Sequence, residues 1–466
     1  MTTSVETWEL RARFARSLSE MYGREVPAYT TLVEVSEEVN ADVLGRDGAD
    51  AERLGSIARV TAERHGAIRV GTPGELAAVA RVFGALGMHP VGFYDLREAA
   101  ASAVPVVSTA FRPIDAEELA RNPFRVFTSM LTPADPRFFD DGLRAEVEAF
   151  LAGRELFGPE LLALADAAER DRGLPPADAD RFLELAVAAF ELGTDPVDRA
   201  WYERLERVSA VAADIGGVTS THVNHLTPRV LDIDELYRRM SARGVEMIDA
   251  IQGPPRWEGP DVLLRQTSFR ALSEPRAMRE PDGTVVEGAL RVRFGEVEAR
   301  GVALTRDGRA RYDALLARID EILAAEPDRV RAEVAAQVWR DGWPRTERGL
   351  FDEGLAYFTL TPAEDRPAGP PPSPGGPLAE LLDGGWAVAT PIVYEDFLPR
   401  SAAGIFQSNL SGEGTRDRSR TGVDYDEAWL AGAIGRTVHD PFDLYGAQQQ
   451  RSLERVHAVL GTAATP

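Results

Sequence analysis

The chain opens with apolar residues at helical spacing. Trp8, Leu10, Phe14 and Leu18 recur every three or four positions, which predicts helix across the first sixty-odd residues. The period then changes. Residues 65–70 (His-Gly-Ala-Ile-Arg-Val) form a compact run of strand length. Thr72-Pro73-Gly74-Glu75 follows, with an N-cap threonine, proline at the first helical position and glutamate at the third. That capping box starts a helix through Leu76, Val79, Val82, Phe83 and Leu86, with Gly87 placed to end it. Strand-like stretches come next at 90–95, 104–111 and 124–131, so the order is β-α-β-β-β.

From 132 to 214 the spacing is helical again, carried by Leu161, Leu162, Leu164, Phe182, Leu185, Val187 and Phe190. Then the earlier order returns: a strand at 222–230, a helix at 234–243 closed by Gly244, and strands at 245–251, 261–272 and 290–304. A repeated β-α-β-β-β order predicts an α+β protein whose two modules share one sheet assembly. Beyond 306 the chain reads as helix, a Pro-rich loop over 361–377, a strand at 386–397, and a polar loop with a terminal helix. These shifts divide one elaborated unit into N-terminal helices (1–64), a first module (65–131), a helical insertion (132–214), a second module carrying the metal site (215–305), a helical segment with the Pro-rich loop (306–385) and a C-terminal strand and helix (386–466).

Composition narrows the chemistry. None of the 466 residues is lysine or cysteine, so all 52 basic residues are arginine. That excludes Schiff-base lysines, thiol nucleophiles, thiolate metal sites and disulfides. With 75 acids and a formal charge of −23, the chain offers no electrostatic footprint for nucleic acid. It has no apolar run near the roughly 18 residues of a spanning helix. The first thirteen residues carry Glu6 and Glu9 and lack the apolar stretch of a signal peptide, so a cytoplasmic protein without membrane contact is expected. No G-x-G-x-x-G follows a strand, which argues against a dinucleotide cofactor.

Of six histidines, His439 and His457 fit solvated surface and His89 fits a turn. The others, His65 and the His222/His225 pair, fall on the first strands of their modules. A regular strand alternates faces, so His222 and His225 cannot both point inward. His225 shares a face with Thr227 and Arg229, and His65 with Arg69. Two neutral imidazoles and one carboxylate would form a facial triad that leaves positions open on a ferrous ion. Gly295-Glu296-Val297-Glu298-Ala299-Arg300 offers the acid. The two acids have the same facing and are the natural source of this carboxylate; as an alternative, Glu298 pairs with Arg300 or Arg270 at the surface while only Glu296 faces inward, or the reverse.

Several longer stretches carry a resemblance. They are His65-Gly-Ala-Ile-Arg69-Val-Gly-Thr, Val91-Gly-Phe-Tyr-Asp-Leu96, Ser108-Thr-Ala-Phe-Arg112 and Pro123-Phe-Arg-Val-Phe-Thr-Ser129. To these add Asn224-His-Leu-Thr-Pro-Arg229, Leu264-Arg-Gln-Thr-Ser-Phe269, Arg293-Phe-Gly-Glu-Val-Glu298, Val393-Tyr-Glu-Asp-Phe-Leu-Pro399 and Ser401-Ala-Ala-Gly-Ile-Phe406. Together they resemble the bacterial 2-oxoadipate dioxygenase/decarboxylases, also called 2-hydroxyglutarate synthases, which are related to the vicinal-oxygen-chelate superfamily. The resemblance implies that His65, His225 and Glu296 bind Fe(II) and that Arg69 binds the substrate. The family's further substrate contact falls on Arg400, beside Ser401, where this chain carries a large cation in place of a small apolar residue.

The implied reaction takes a 2-oxo dicarboxylic acid, 2-oxoadipate, and O2 to 2-hydroxyglutarate and CO2, as in lysine catabolism, with no organic cofactor. A runner-up is a vicinal-oxygen-chelate protein that isomerises or binds a small acid without consuming O2. Arg69 lies four strand residues from His65, roughly 13 Å at about 3.3 Å each. A side chain leaning back would close about half of that distance and meet the far carboxylate of a six-carbon diacid. Arg112, Arg125, Arg229 and Arg265 either assist it or form ion pairs with the abundant acids.

Overall fold

The computed structural model describes residues 4–98, 103–291, 293–367, 378–398, 416–417 and 419–461. It is a mixed α+β protein. The first β-α-β-β-β order appears as the strand Arg64–Val70, the helix Pro73–Ala85 and the strands His89–Asp95, Val106–Arg112 and Arg125–Leu131. The helix begins as its sequence predicts. Thr72 Oγ1 accepts from the Glu75 amide at 3.1 Å, and the Glu75 carboxylate accepts from the Thr72 amide at 3.2 Å. Gly87, at φ +66°, turns the chain out of the helix in a conformation that a side chain would resist.

Five strands form the central sheet in the order His89–Asp95, Val106–Arg112, Arg125–Leu131, Arg64–Val70, Val223–Pro228. The last of these runs antiparallel to Arg64–Val70, so the leading strands of the two halves of the chain lie side by side. On one face Ile68, Val70, Phe111, Val126 and Leu226 pack under Phe14, Leu18, Leu76, Val79 and Phe83 from the N-terminal and capped helices. On the other, Ala67, Ala110 and Phe127 meet Val147, Leu205, Ala213, Phe294 and Phe397. Val106–Arg112 and Arg125–Leu131 are accordingly buried at every position, as strands covered on both faces must be.

The second half departs from the predicted repeat in three places. The expected strand at 245–251 is an extended segment with isolated bridges at Met247–Phe269 and Gln252–Gln266. Ile248 bonds to Ser268 and Gln252 to Gln266. Four residues therefore run against two, and the surplus bulges off the sheet. The expected strand at 290–304 is interrupted: its regular part is Glu296–Arg300, paired antiparallel with Leu264–Ser268. A hairpin, Glu274–Arg279 with Val285–Leu290, lies where no strand pair is predicted. The C-terminal strand is shorter than its apolar run, Ala387–Pro391, after which the chain crosses to pair at Val302–Val393.

The helices Asp141–Ala152, Pro159–Asp171, Pro176–Ala188, Arg199–Glu206 and Ala210–Gly216 fill the stretch between the halves. Tyr22, from the helix Thr7–Glu25, donates its hydroxyl to the carbonyls of Asn224 and Phe294 at 3.0 and 2.9 Å, tying the His225 strand to the approach of the Glu296 strand. Among the described residues no helix is long and apolar enough to cross a membrane.

Candidate metal centre and active site

Register brings the two imidazoles together. His65 lies opposite Thr227 and Ala67 opposite His225, so all four side chains share the face away from the N-terminal helices. The histidines meet on the diagonal, with ring centroids 5.3 Å apart and planes near perpendicular. Between Ala67 and Ile68 the partner strand steps from His225 to Val223. Asn224 is the extra residue of this bulge, so strict alternation does not hold across it: Val223 lies opposite Ile68, and His222 joins Arg69 at Asp214. Val230 donates its amide to the Glu298 carbonyl at 2.8 Å, seating the Glu296–Arg300 strand against the end of the His225 strand.

Glu296 closes the set. Its two carboxylate oxygens lie 3.3 Å from His225 Nε2 and 3.8 Å from His65 Nε2. One donor atom from each of the three residues falls within 4.8 Å of the others. All three side chains are buried. Phe397 stands edge-on to His65 at 5.0 Å, and Phe294 stacks on His225 at 5.1 Å, so aromatic rings fix both imidazole planes.

Burial pushes both imidazoles below their ordinary range, and for His225 the neighbouring His65 adds to the effect. Burial, with Glu298 beside it, pushes the Glu296 carboxyl well above its own. Neutral imidazoles are the form that coordinates a metal, and a divalent ion bound there would favour the ionised form of the carboxyl. The donors present fit such a metal: two imidazoles and a carboxylate, with room left in the coordination sphere.

Known proteins of similar sequence and structure identify the family. The sequence model of one family, 2-oxoadipate dioxygenase/decarboxylase, matches residues 14–409. The chain belongs to the 2-oxoadipate dioxygenase/decarboxylase family. A 2-oxoadipate dioxygenase/decarboxylase of Mycobacterium tuberculosis is 58% identical over 446 residues, covering 96% of this chain and 98% of that protein. One from Escherichia coli is 41% identical over 463 residues, covering 98% and 99%. The crystal structure of the Pseudomonas putida hydroxyglutarate synthase in complex with 2-oxoadipate superposes with a TM-score of 0.83 at 37% identity, covering 98% of this chain and 99% of that one.

Within this family member both glutamates of the Glu296 strand point inward. Glu298 does pair with Arg300, but in the interior: Arg300 Nε and Nη2 grip its two oxygens at 2.7 and 2.9 Å, and Arg125 approaches at 3.3 Å. The two acids share one facing, as their spacing predicts, and the alternative of a surface ion pair is corrected. Glu298 Oε2 also lies 2.9 Å from His65 Nδ1. Burial alone would raise this carboxyl, but Arg300, His65 and Arg125 outweigh it and hold Glu298 far below the usual range.

Arg69 is buried on the same face, and its Nη1 is paired with Asp214. Asp214 comes from the helix Ala210–Gly216 and also accepts from Asn224 Nδ2 at 2.9 Å, with His222 Nε2 at 3.3 Å. The further arginines are all ion-paired: Arg112 with Asp396, Arg125 with Glu63, Glu298 and Glu395, Arg229 with Glu63, and Arg265 with Asp234. Arg400 and Ser401 lie outside the described residues. His89 begins a strand instead of occupying a turn, and His439 is half-buried, its amide and carbonyl bonded to Pro90 and Gly92. Sequence reasoning did not single out Glu63, Asp214 or Glu395. Only Glu395 lay in a stretch that signalled it, Val393-Tyr-Glu-Asp-Phe-Leu-Pro399.

Proposed function

We propose that this enzyme converts 2-oxoadipate and O2 to 2-hydroxyglutarate and CO2 with Fe(II) held by His65, His225 and Glu296. The observation that carries the reading is the convergence of those three donors on one buried point in a chain of this family. Bound there, Fe(II) supplies the stepwise electron transfer to O2 that no side chain can provide, and leaves positions for a chelating 2-oxo acid. The equation balances with both atoms of O2 retained in the products.

The chain's own residues do the rest. The rings of Phe294 and Phe397 keep water from the imidazoles and hold them in place. Arg69 binds the distal carboxylate of the substrate, and Asp214 on Nη1 fixes the direction in which the guanidinium is presented. In a protein of charge −23 a dianion is retained by local arginine, not by the overall field. Arg400 and Ser401 are assigned the remaining substrate contacts. Adjacent antiparallel leading strands that each supply a histidine also support a vicinal-oxygen-chelate-like half-barrel of two modules.

An oxygen-electrode trace tests the assignment. With Fe(II) and 2-oxoadipate, one O2 is expected to be consumed for each CO2 released and each 2-hydroxyglutarate formed. Substrate turnover without O2 uptake would overturn it in favour of an isomerase.

A further inference from the structure

The two histidines are set on unlike partners. His225 Nδ1 lies 3.0 Å from the Thr227 hydroxyl, a neutral group that can donate or accept. His65 Nδ1 lies 2.9 Å from Glu298 Oε2. Both oxygens of that carboxylate are gripped by guanidinium groups, Arg300 at 2.7 and 2.9 Å and Arg125 at 3.3 Å, and it is fully buried. A carboxylate in such a clamp has only acceptor oxygens to offer, so the close approach favours the tautomer with the proton on His65 Nδ1. Its Nε2 then presents a lone pair toward Glu296. A hydroxyl imposes no such choice on His225.

We propose that Glu298 is a positioning residue that fixes the tautomer and strengthens the donor nitrogen of His65, making it the dominant imidazole of the metal centre and His225 the weaker one. This rests on the reading of His65 as a metal ligand. Carboxylates behind metal-bound histidines act in this way, and their loss weakens metal binding by about 10- to 100-fold. Glu63 provides the contrast. It sits in the same buried ion network, its carboxylate held by Arg125 at 2.8 Å and Arg229 at 2.9 Å.

The test is an anaerobic titration of the metal-free protein with Co(II), followed by visible absorbance. It is joined to long-range 1H–15N spectra of histidine-labelled protein, which report the tautomer of each ring. Wild type is expected to bind one Co(II) per chain and His65→Ala to lose that site. Glu298→Gln should bind about 10- to 100-fold more weakly. Thr227→Val and Glu63→Gln should each change affinity by less than about threefold, on the same scale. Equal binding by wild type and His65→Ala would overturn the metal-site reading and this inference with it. A His65-dependent site that Glu298→Gln binds as tightly as wild type, or that Glu63→Gln weakens equally, would overturn the role of Glu298 alone. Should Glu298→Gln not fold, the wild-type spectrum decides: a His65 proton on Nε2 refutes the proposal, and one on Nδ1 supports it.

Discussion

The two faces of the central sheet are built from the same strands in opposite ways. Toward the N-terminal helices, Ile68, Val70, Phe111, Val126 and Leu226 make an apolar interface that any well-shaped hydrophobic set could fill. Toward the metal centre, alternate residues of those strands are His65, Arg69, Arg112, Arg125 and His225, all buried. Buried ions seldom raise stability over an apolar core of equal volume, because desolvation offsets their attraction. The difference teaches that one face is chosen for cohesion. The other accepts an electrostatic cost so that a few donors stand at fixed distances.

The largest expected effect breaks function without breaking the fold. His65→Ala, His225→Ala and Glu296→Ala should each abolish O2 uptake, since three ligands are the minimum for a facial site. Circular dichroism is expected to stay native. If His225→Ala kept full activity while His222→Ala lost it, the assignment of strand faces would be wrong.

Next come paired substitutions on opposite faces. Arg125→Met strands Glu63, Glu298 and Glu395 with too few cations and should cost about 3–5 kcal/mol. Phe111→Ala, on the apolar face, should cost a similar amount, about 3–5 kcal/mol. Denaturant melts measure both. Activity per folded molecule separates them: it should fall with Arg125→Met and survive Phe111→Ala. Equal retention would mean that the ionic face is only a core by other means.

Arg69 sharpens the comparison further. Arg69→Met should lower kcat/KM for 2-oxoadipate by roughly ten- to several-hundred-fold, and Arg69→Lys should not rescue it, lacking the planar fork. 2-Oxoglutarate, one carbon shorter, and 2-oxohexanoate, with a neutral end, should both be poor substrates. Equal kcat/KM for 2-oxoadipate and 2-oxohexanoate on the wild-type enzyme would remove the arginine clamp from the mechanism.

The smallest effect is a pH slope. Burial pushes His222 down to about 4, so between that value and the ordinary pKa near 6.5 the unfolded chain binds a proton that the folded chain refuses. Stability should therefore fall as pH drops through that window, by up to about 3 kcal/mol from this group. His65 and His225 act in the same direction in metal-free protein. Urea melts at pH 7 and 5 measure the loss, and His222→Asn should reduce it. An unchanged slope would show that His222 is already protonated in the fold.

The legible parts of the molecule were those set by neighbours in the chain. The Thr72–Glu75 capping box and the first β-α-β-β-β order both follow from rules spanning a few residues. Choosing Glu296 over Glu298 was beyond such rules, since both face inward and only contacts from distant strands distinguish them. The bulge at Asn224, the surplus residues at 249–251 and the 274–290 hairpin depend on pairing partners that local pattern does not reveal. Glu63 and Asp214 looked like ordinary surface acids because a charged residue reads the same whether water or arginine surrounds it.

The hydroxyl of Tyr22 has a consequence for how the molecule comes into being. It bonds to Asn224 and Phe294, partners more than two hundred residues away along the chain. The apolar stripe of this N-terminal helix finds partners such as Phe124 and Phe190 in the first half of the chain, but its tyrosine hydroxyl gains both carbonyls only after Phe294 has been made. The donor set spans much of the same interval, from His65 to Glu296, so the three donors come together only once most of the second half of the chain has been made.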